Sequence, residues 1–498
     1  MADRWKRCRD CFEGSDAIKA ASTLYLPVLE GWNQQGIEYQ NYLKRAMFYP
    51  AFERTVAGMA GMVLRKPAAI NAPPEVTDQA DDLTLLHQAL PDVAQVGLQE
   101  VLVTGRCGIL VDWAANEQDL AASRPYWAIY PAESVINYRW SIDHGMPRLD
   151  LLVLQETIDA ADPENPYQSK PTLQYREFVR TPSGVQAFIW QQRQSEGGGD
   201  TKFVRTGAEN LKQGANPLTE IPFVLIGPRG LTPAIEKPPL LDLADLSLSH
   251  YRTSADLEHG RHFTALPTPW ITGWQQTGGP MKIGSGEAWI IPSADAKVGM
   301  LEFTGQGLGA LEKALDQKEK AMAVVGARML EQQAREREAA ETVRLRHSGE
   351  HAVLASIAHA VSLGLTVAMR YHAAWLGTTD KQALDQIEVA LNTDFFENRL
   401  SAQEVTALVQ AWQAGSISGE TLYWNLQRGE WARPTVTWEQ EQQEIDAGEG
   451  GQDDAATIAA ATAAALADQI ARPKPPPGTP DRELAPVPPE DASLAETD

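Results

Sequence analysis

Cysteine is nearly absent: Cys8, Cys11 and Cys107 are the only three in 498 residues. Three thiols cannot build a disulfide framework, and the Cys8-x-x-Cys11 pair has no second pair to complete a tetrahedral zinc site. That pair lies in RWKRCRDCFEG with no strand-helix pattern after it, so a redox motif has little support and a reducing compartment is expected. Nowhere do about 18 uncharged apolar residues run together, and the first residues are charged, which predicts neither a membrane span nor a signal peptide. A soluble protein made inside a cell is the expectation. There is no G-x-x-x-x-G-K-S/T, so the chain does not hydrolyse nucleotide through a P-loop, and any motor it works with must be a partner. Positive charge is also short. Lys and Arg number 43 against 66 Asp and Glu, a net of -23. That excludes a general, strongly basic nucleic-acid binder and leaves open a protein that lets DNA pass without gripping it.

What is present can fill real cores: 43% apolar residues and 14 Trp, in a chain long enough for two or three domains. The first 66 residues carry ten basic against seven acidic side chains. Within them Tyr39, Leu43, Met47, Phe48, Phe52, Val56 and Met59 recur at steps of three and four, one helix face bent at Pro50. A second helix is predicted from 83, followed by VLVTGRCGILVDW, where Gly105 and Gly108 suggest helix end, turn and strand. Between 125 and 226 short β-rich pieces alternate with Gly, Pro, Asn and Asp clusters, the texture of an antiparallel sheet. The fold class expected is therefore α+β.

Further on, Pro238 and Pro239 suit the first turn of a long helix carrying Leu241, Leu243, Leu246, Leu248, Tyr251, Leu257 and Phe263. A small β unit with a Gly-rich turn follows at 266–292. A second long helix comes next at 306–328, with Leu308, Leu311, Leu315, Met322 and Val325 on one side. The run AVLASIAHAVSLGLTVAMRYHAAWLG is strongly apolar but broken by His359, Gly364 and Arg370, so it reads as a core helix rather than a membrane span. IEVALNTDF reads as a strand. A helical hairpin is expected from Ser401, with Gly415 ending its first helix and Ser418 opening the second. Residues 439–498 hold 14 acidic against three basic side chains amid Ala, Pro and Gly, and carry no expected stable structure beyond a short Ala-rich helix near 455–470.

Three motifs invite chemistry. His347, Glu350 and His351 spell H-x-x-E-H, in which two histidines one helical turn apart would bind zinc and the glutamate would activate water. No third ligand can be singled out, and histidines at a helix start account for the same residues. GQGLGA at 305–310 matches a dinucleotide fingerprint but lies in no βαβ unit, and a glycine-bearing helix N-terminus explains it better. Trp270, Trp274 and Trp289 flank the small β unit, either as a local core or as an interface. No cofactor is expected.

The order of YLPVLEGWNQQGIEYQNYLKRAMFYPAFERTVAGMAGMVLRKP, VLVTGRCGILVDW, YPAESVINYRW, EAAETVRLRHSGEHAVLASIA and LVQAWQAGSISGETLYWNL resembles the portal proteins of tailed double-stranded DNA phages. More narrowly it resembles a portal-like family long catalogued as phage proteins of unknown function. The resemblance spans most of 20–445 and implies a non-enzymatic, dodecameric ring at one capsid vertex of the virion, assembled in the host cytoplasm. It implies a channel for DNA packaging and ejection that docks the terminase large subunit, a head-to-tail adaptor and the major capsid protein, with no membrane. By position, 1–235 would be wing and 236–328 stem helices with a small clip at 266–292. Residues 329–400 would be tunnel loop, core helix and wing return, 401–446 a helical crown, and 447–498 the acidic tail.

In this frame Arg328, Arg335, Arg337, Arg344 and Arg346 would point from a loop into the channel. Mixed with Glu331, Glu336, Glu338, Glu341 and Glu350, they would touch DNA and release it, since tight phosphate binding would stall translocation. A solvated helix face with i to i+4 ion pairs such as Glu331 with Arg335 is the plainer account. The stem helices would line the channel with an acidic excess, and their outer apolar stripes would pack against neighbouring copies. Two other classes stay open: a zinc-dependent hydrolase centred on His347, Glu350 and His351, and a non-portal oligomeric scaffold.

Overall fold

The structure is a computed structural model that describes residues 1–446 except for 115–122, 144, 162–164, 166, 195–200, 214–215, 266–267, 274–294, 302–304, 306, 328–339, 394, 396–399, 401, 430 and 434–435. It falls into two units, Met1–Phe395 and Phe396–Asp498. Of the acidic stretch 439–498, expected to lack stable structure, residues 439–446 are helical and the rest lies outside the described residues, as does Ser401.

The first unit opens with α1 (Ala2–Glu13), α2 (Ser15–Ala20), α3 (Ile37–Arg45) and α4 (Ala51–Val63). The bend expected at Pro50 is real: α3 ends at Arg45, and Pro50 stands at the N-cap of α4, where its missing N–H costs nothing. Tyr39, Phe52 and Val56 are buried on the shared face, but Met47 is 64% exposed, because the break at 46–50 turns it off the helix period. Cys8 and Cys11 sit one turn apart on α1, both fully buried, and burial pushes both thiols up, Cys8 to about 12. Protonated and enclosed, they are core side chains rather than nucleophiles or ligands.

After β1 (Ala69–Asn71) and α5 (Pro74–Thr77), α6 (Leu90–Thr104) ends at Gly105, whose φ of 75° is the left-handed cap a side chain disfavours. The chain then enters β2 (Cys107–Ala114), the helix, turn and strand that Gly105 suggested. β3 (Arg124–Pro131) pairs with β2; β4 (Val135–Asp143), β5 (Met146–Ala161), β6 (Ser169–Thr181), β7 (Gly184–Gln194) and β8 (Thr201–Asn210) form a five-stranded antiparallel meander. β9 (Lys212–Gln213) and β10 (Asn216–Pro217) make a short clasp, and β11 (Phe223–Ile226) returns to the other edge of β2. Leu152, Leu154 and Phe178 from the meander and Leu110, Phe223 and Leu225 from the smaller sheet share one core. Strands and helices are segregated along the chain, so the α+β expectation is met.

The helical core is centred on α9 (Ala340–Trp375), which comes after α7 (Leu241–Ala265), β12 (Thr268–Thr272), β13 (Lys297–Leu301) and α8 (Leu308–Met322). Val353–Trp375 is long and apolar enough to cross a membrane by length and composition, yet Leu354, Ile357, Val361, Leu365, Ala368 and Met369 are buried in the protein core. α10 (Lys381–Gln386) and β14 (Glu388–Ala390) close the unit, β14 pairing antiparallel with β1. In the second unit α11 (Ala402–Gln413), α12 (Gly419–Arg428) and α13 (Trp438–Asp446) follow one another, with Gly415 left-handed at 71° and the Ser418 hydroxyl accepting from the Thr421 N–H at 3.1 Å.

Inside the core, the Trp127 indole N–H donates to His372 Nδ1 at 3.2 Å, and His372 Nε2–H donates to Gln79 Oε1 at 2.9 Å. Both ring nitrogens are thus used by a neutral imidazole. Burial, then the nearby Arg124 charge, pushes the His372 pKa down to about 4. A folded pKa below the unfolded value of about 6.5 means stability is full above pH 6.5 and is lost as pH falls toward 4, by about 3 kcal/mol at most. Urea melts at pH 7 and pH 4.5 should show this loss, and His372→Gln should flatten the difference by about that amount. An unchanged slope in the variant would assign the acid sensitivity elsewhere.

Candidate functional site

The candidate site is built on the pair α7 and α8 with the ribbon between them. α7 packs on α1, α3, α4 and α8. Its apolar positions Leu241, Leu243, Leu248, Tyr251 and Leu257 are buried by those partners, so the stripe expected to meet neighbouring copies is spent inside the subunit. α8 keeps Glu312, Lys313, Asp316, Glu319 and Lys320 exposed, with Leu311 and Leu315 half-buried. Across the two helices, seven acidic face five basic residues. The acidic lining expected of them is therefore a near balance, while about half of the chain's net charge of -23 lies after residue 438.

Polar contacts set the register of the pair. Arg261 donates to Glu312 at 2.9 Å and to Glu258 at 2.9 Å. Lys318 Nζ reaches the Ser249 carbonyl at 3.0 Å and the Thr253 hydroxyl at 2.5 Å, and burial lowers its pKa. His250 stands 3.2 Å from Glu319 through Nε2, and burial lowers its pKa although the Glu319 contact opposes the shift. These surface-side pairs orient more than they stabilise. A cleft of about 310 Å³ opens between the 46–50 elbow and the helix pair, with Phe48, Leu257 and Leu315 at its floor and Glu258, Arg261 and Glu312 at its rim. Sequence reasoning missed this cleft, because its halves lie some two hundred residues apart in the chain.

The ribbon joining the helices is β12 and β13, paired antiparallel from Thr268 with Leu301 to Thr272 with Lys297. The second strand therefore lies beyond the 266–292 span expected for the β unit. Val298 and Met300 alternate with Gly299, a period-two pattern that the Gly-rich stretch before it masked. Trp270 lies over Gly299 and is 41% exposed, while Val298 and Met300 are 53% and 51% exposed. Trp270 is thus on an exposed ribbon rather than in a local core; Trp274 and Trp289 lie outside the described residues.

α8 also ends earlier than expected, at Met322 rather than 328, and passes into a π-helical turn, Ala323–Ala327. There Gly326 comes against Thr55 and Leu243, leaving Val324 and Val325 exposed. Arg328, Arg335 and Arg337 fall outside the described residues. Arg344 and Arg346, expected in a loop, belong to α9, which starts at Ala340 and is longer than the core segment by twelve residues at its N-terminal end. The physical reason is composition. AETVRLRHSGEH holds strong helix formers and no proline, and one glycine costs only about 1 kcal/mol against continuing the helix. His347, Glu350 and His351 are on this helical segment too, one turn apart. Among the described residues no cluster of three or more His, Cys, Asp or Glu is arranged to hold a metal. GQGLGA falls where α8 begins, with Gly307 at the N-cap and, among the described residues, no βαβ unit around it.

A family model described as "Domain of unknown function (DUF4055)" matches residues 239–376, the stretch from α7 through α9. No curated protein matches the chain. Among solved structures, a chain from the neck of an empty gene transfer agent particle with C6 symmetry is 11% identical with a TM-score of 0.37, over 82% of this chain and 96% of that one. A chain from a native gene transfer agent virion is 12% identical with a TM-score of 0.37, over 81% and 96%. A chain from the neck of a native particle with C12 symmetry is 10% identical with a TM-score of 0.35, over 82% and 97%. These neighbours are chains of a gene transfer agent virion and of its neck. At such TM-scores the likeness carries no conclusion about this chain.

Proposed function

We propose that this chain is a portal-type subunit: a ring-forming head-to-tail structural protein of a phage-like virion, through which double-stranded DNA is packaged and ejected. The observation that carries the reading is the order of parts in the first unit. Two long helices, α7 packed into the α+β body and α8 packed on α7, are joined by an exposed two-stranded ribbon and are followed by a mixed-charge segment leading into the core helix α9. In this reading 1–235 is the wing, α7 and α8 the stem, the ribbon with Trp270 the clip, and 401–446 the crown. The capsid vertex is the location, and the terminase large subunit, a head-to-tail adaptor and the major capsid protein are the partners.

Function here is geometry and electrostatics without covalent chemistry. Near-balanced charge on α7 and α8, and both signs among Arg335, Arg337, Arg344, Arg346 and the glutamates between them, suit a duplex that must slide rather than stick. Negative-stain electron microscopy of the purified protein tests the proposal. The expected image is a closed ring with an axial hole about 20 Å or more across, wide enough for a duplex. A ring without a hole would indicate a scaffold instead. Stoichiometric zinc that disappears on His347→Ala would replace the conduit with a hydrolase.

A further inference from the structure

The second unit contains a cleft of about 630 Å³ between α12 and the start of α13, far more aromatic than its surroundings. Tyr423, buried, forms the floor; Trp424 and Trp438 stand on the walls, and Glu420 and Glu439 on the rim. The Tyr423 and Trp438 rings are 5.7 Å apart at 46°. Trp438 lies against Gly419, and Arg428 stacks over Trp424 at 5.4 Å, so both indoles are braced. Trp424 is nevertheless 55% exposed. Side chains of α12 tie down the backbone on either side: Gln427 Nε2 donates to the Val436 carbonyl at 2.6 Å and the Arg433 carbonyl at 3.0 Å, and the Tyr423 hydroxyl donates to the Val436 carbonyl at 3.3 Å.

A groove lined by braced, partly exposed aromatic side chains is what a proline-rich segment in the polyproline II conformation recognises. Its rings lodge between aromatic side chains, and it loses little entropy on binding. The chain itself carries such a segment. Residues 471–482 read ARPKPPPGTPDR, with Pro473, Pro475, Pro476, Pro477 and Pro480. Beyond residue 446 the only basic residues are Arg472, Lys474 and Arg482, all inside this segment, so the one basic stretch of an acidic tail matches a cleft rimmed by Glu420 and Glu439. The later proline run, APVPPED, is flanked by Glu483, Glu490 and Asp491 and would meet the same rim with like charge. Residues 447–472 separate the end of α13 from Pro473, and a coil of that length spans roughly 25–30 Å, twice the length of α13 itself. The cleft is therefore within reach of its own chain.

We propose that the Arg472–Arg482 segment docks in the Tyr423/Trp424/Trp438 cleft of the same chain. Docking returns the acidic tail to the second unit and leaves 483–498 as its only free end. The contact lies within one chain, so it stands or falls separately from the ring.

The test uses the full chain with Thr479→Cys carrying a fluorophore; Cys8, Cys11 and Cys107 are buried and do not compete for it. Time-resolved anisotropy should show a restrained probe. Trp424→Ala and the triple change Pro475→Ala, Pro476→Ala, Pro477→Ala should each release it to the mobility of a free 470–482 peptide, while Trp424→Phe should retain most of the restraint. Unchanged helical circular dichroism in Trp424→Ala would exclude unfolding as the cause. A probe already free in the parent, or one that Trp424→Ala leaves restrained, overturns the proposal. Restraint that vanishes on dilution overturns it in favour of a neighbouring copy's segment.

Discussion

Replacing Arg176 by Met is expected to cost about 3–5 kcal/mol. Arg176 on β6 donates to Asp112 on β2 at 2.6 Å and lies 3.7 Å from Glu156 on β5, with its side chain only 18% exposed. Asp112 also accepts from the Tyr126 hydroxyl at 3.2 Å, and Glu156 from the Tyr130 hydroxyl at 2.5 Å and from Gln174 at 2.7 Å. One guanidinium thus ties the three-stranded sheet to the five-stranded meander. Burial alone would lower its pKa, but Asp112, Tyr130 and Glu156 outweigh burial and hold it far above the ordinary range. Removing it strands two carboxylates away from water, which is where the cost arises. Chemical denaturation followed by circular dichroism should show the loss. Adding Asp112→Asn and Glu156→Gln to Arg176→Met should recover much of it, since the stranded charges are then gone. Equal stability of the single and triple variants would mean that the cluster contributes packing rather than charge.

Gly364→Leu should cost about 3 kcal/mol by overpacking. α9 crosses β11 at this residue, and a Cβ there would come 2.3 Å from Ile226 Cδ1 and 2.4 Å from its Cγ1. Ile226 is fully buried, so it has no room to give way. Gly364→Ala should cost less, and pairing it with Ile226→Ala should cost less than the sum of the two single changes, because the methyl removed is the one the new Cβ strikes. Additive losses would place the close approach elsewhere. In the sequence Gly364 read as an interruption of an apolar run; in the fold it is the point that lets helix and sheet meet.

Legibility followed the range of the interaction. The bend at Pro50, the cap at Gly105, the turn at Gly415 and the N-cap at Ser418 were all readable, because each depends on two to four neighbouring residues. Over 340–351 the helical account of the charged stretch holds rather than the channel loop expected from the resemblance, since Arg, Glu and Leu are good helix formers. The aromatic cleft had a signal that went unused: Trp412, Trp424, Trp431 and Trp438 gather four of the 14 tryptophans into one short stretch, and three of them are more than 40% exposed.

By itself the sequence determined most of the elements of this protein: that helices and strands occur where they do, several of their caps and turns, and that strands and helices are segregated. Periodicity, caps and turns are local, and local free energies suffice to set them. Only the tertiary structure decided that β14 pairs with β1 across more than 300 residues, that β11 returns to β2, and that Arg176 finds Asp112 and Glu156. It likewise decided that the apolar face of α7 is consumed within the subunit. Those outcomes depend on which surfaces remain unburied once neighbouring elements have packed, a competition among distant segments that no short window of residues contains.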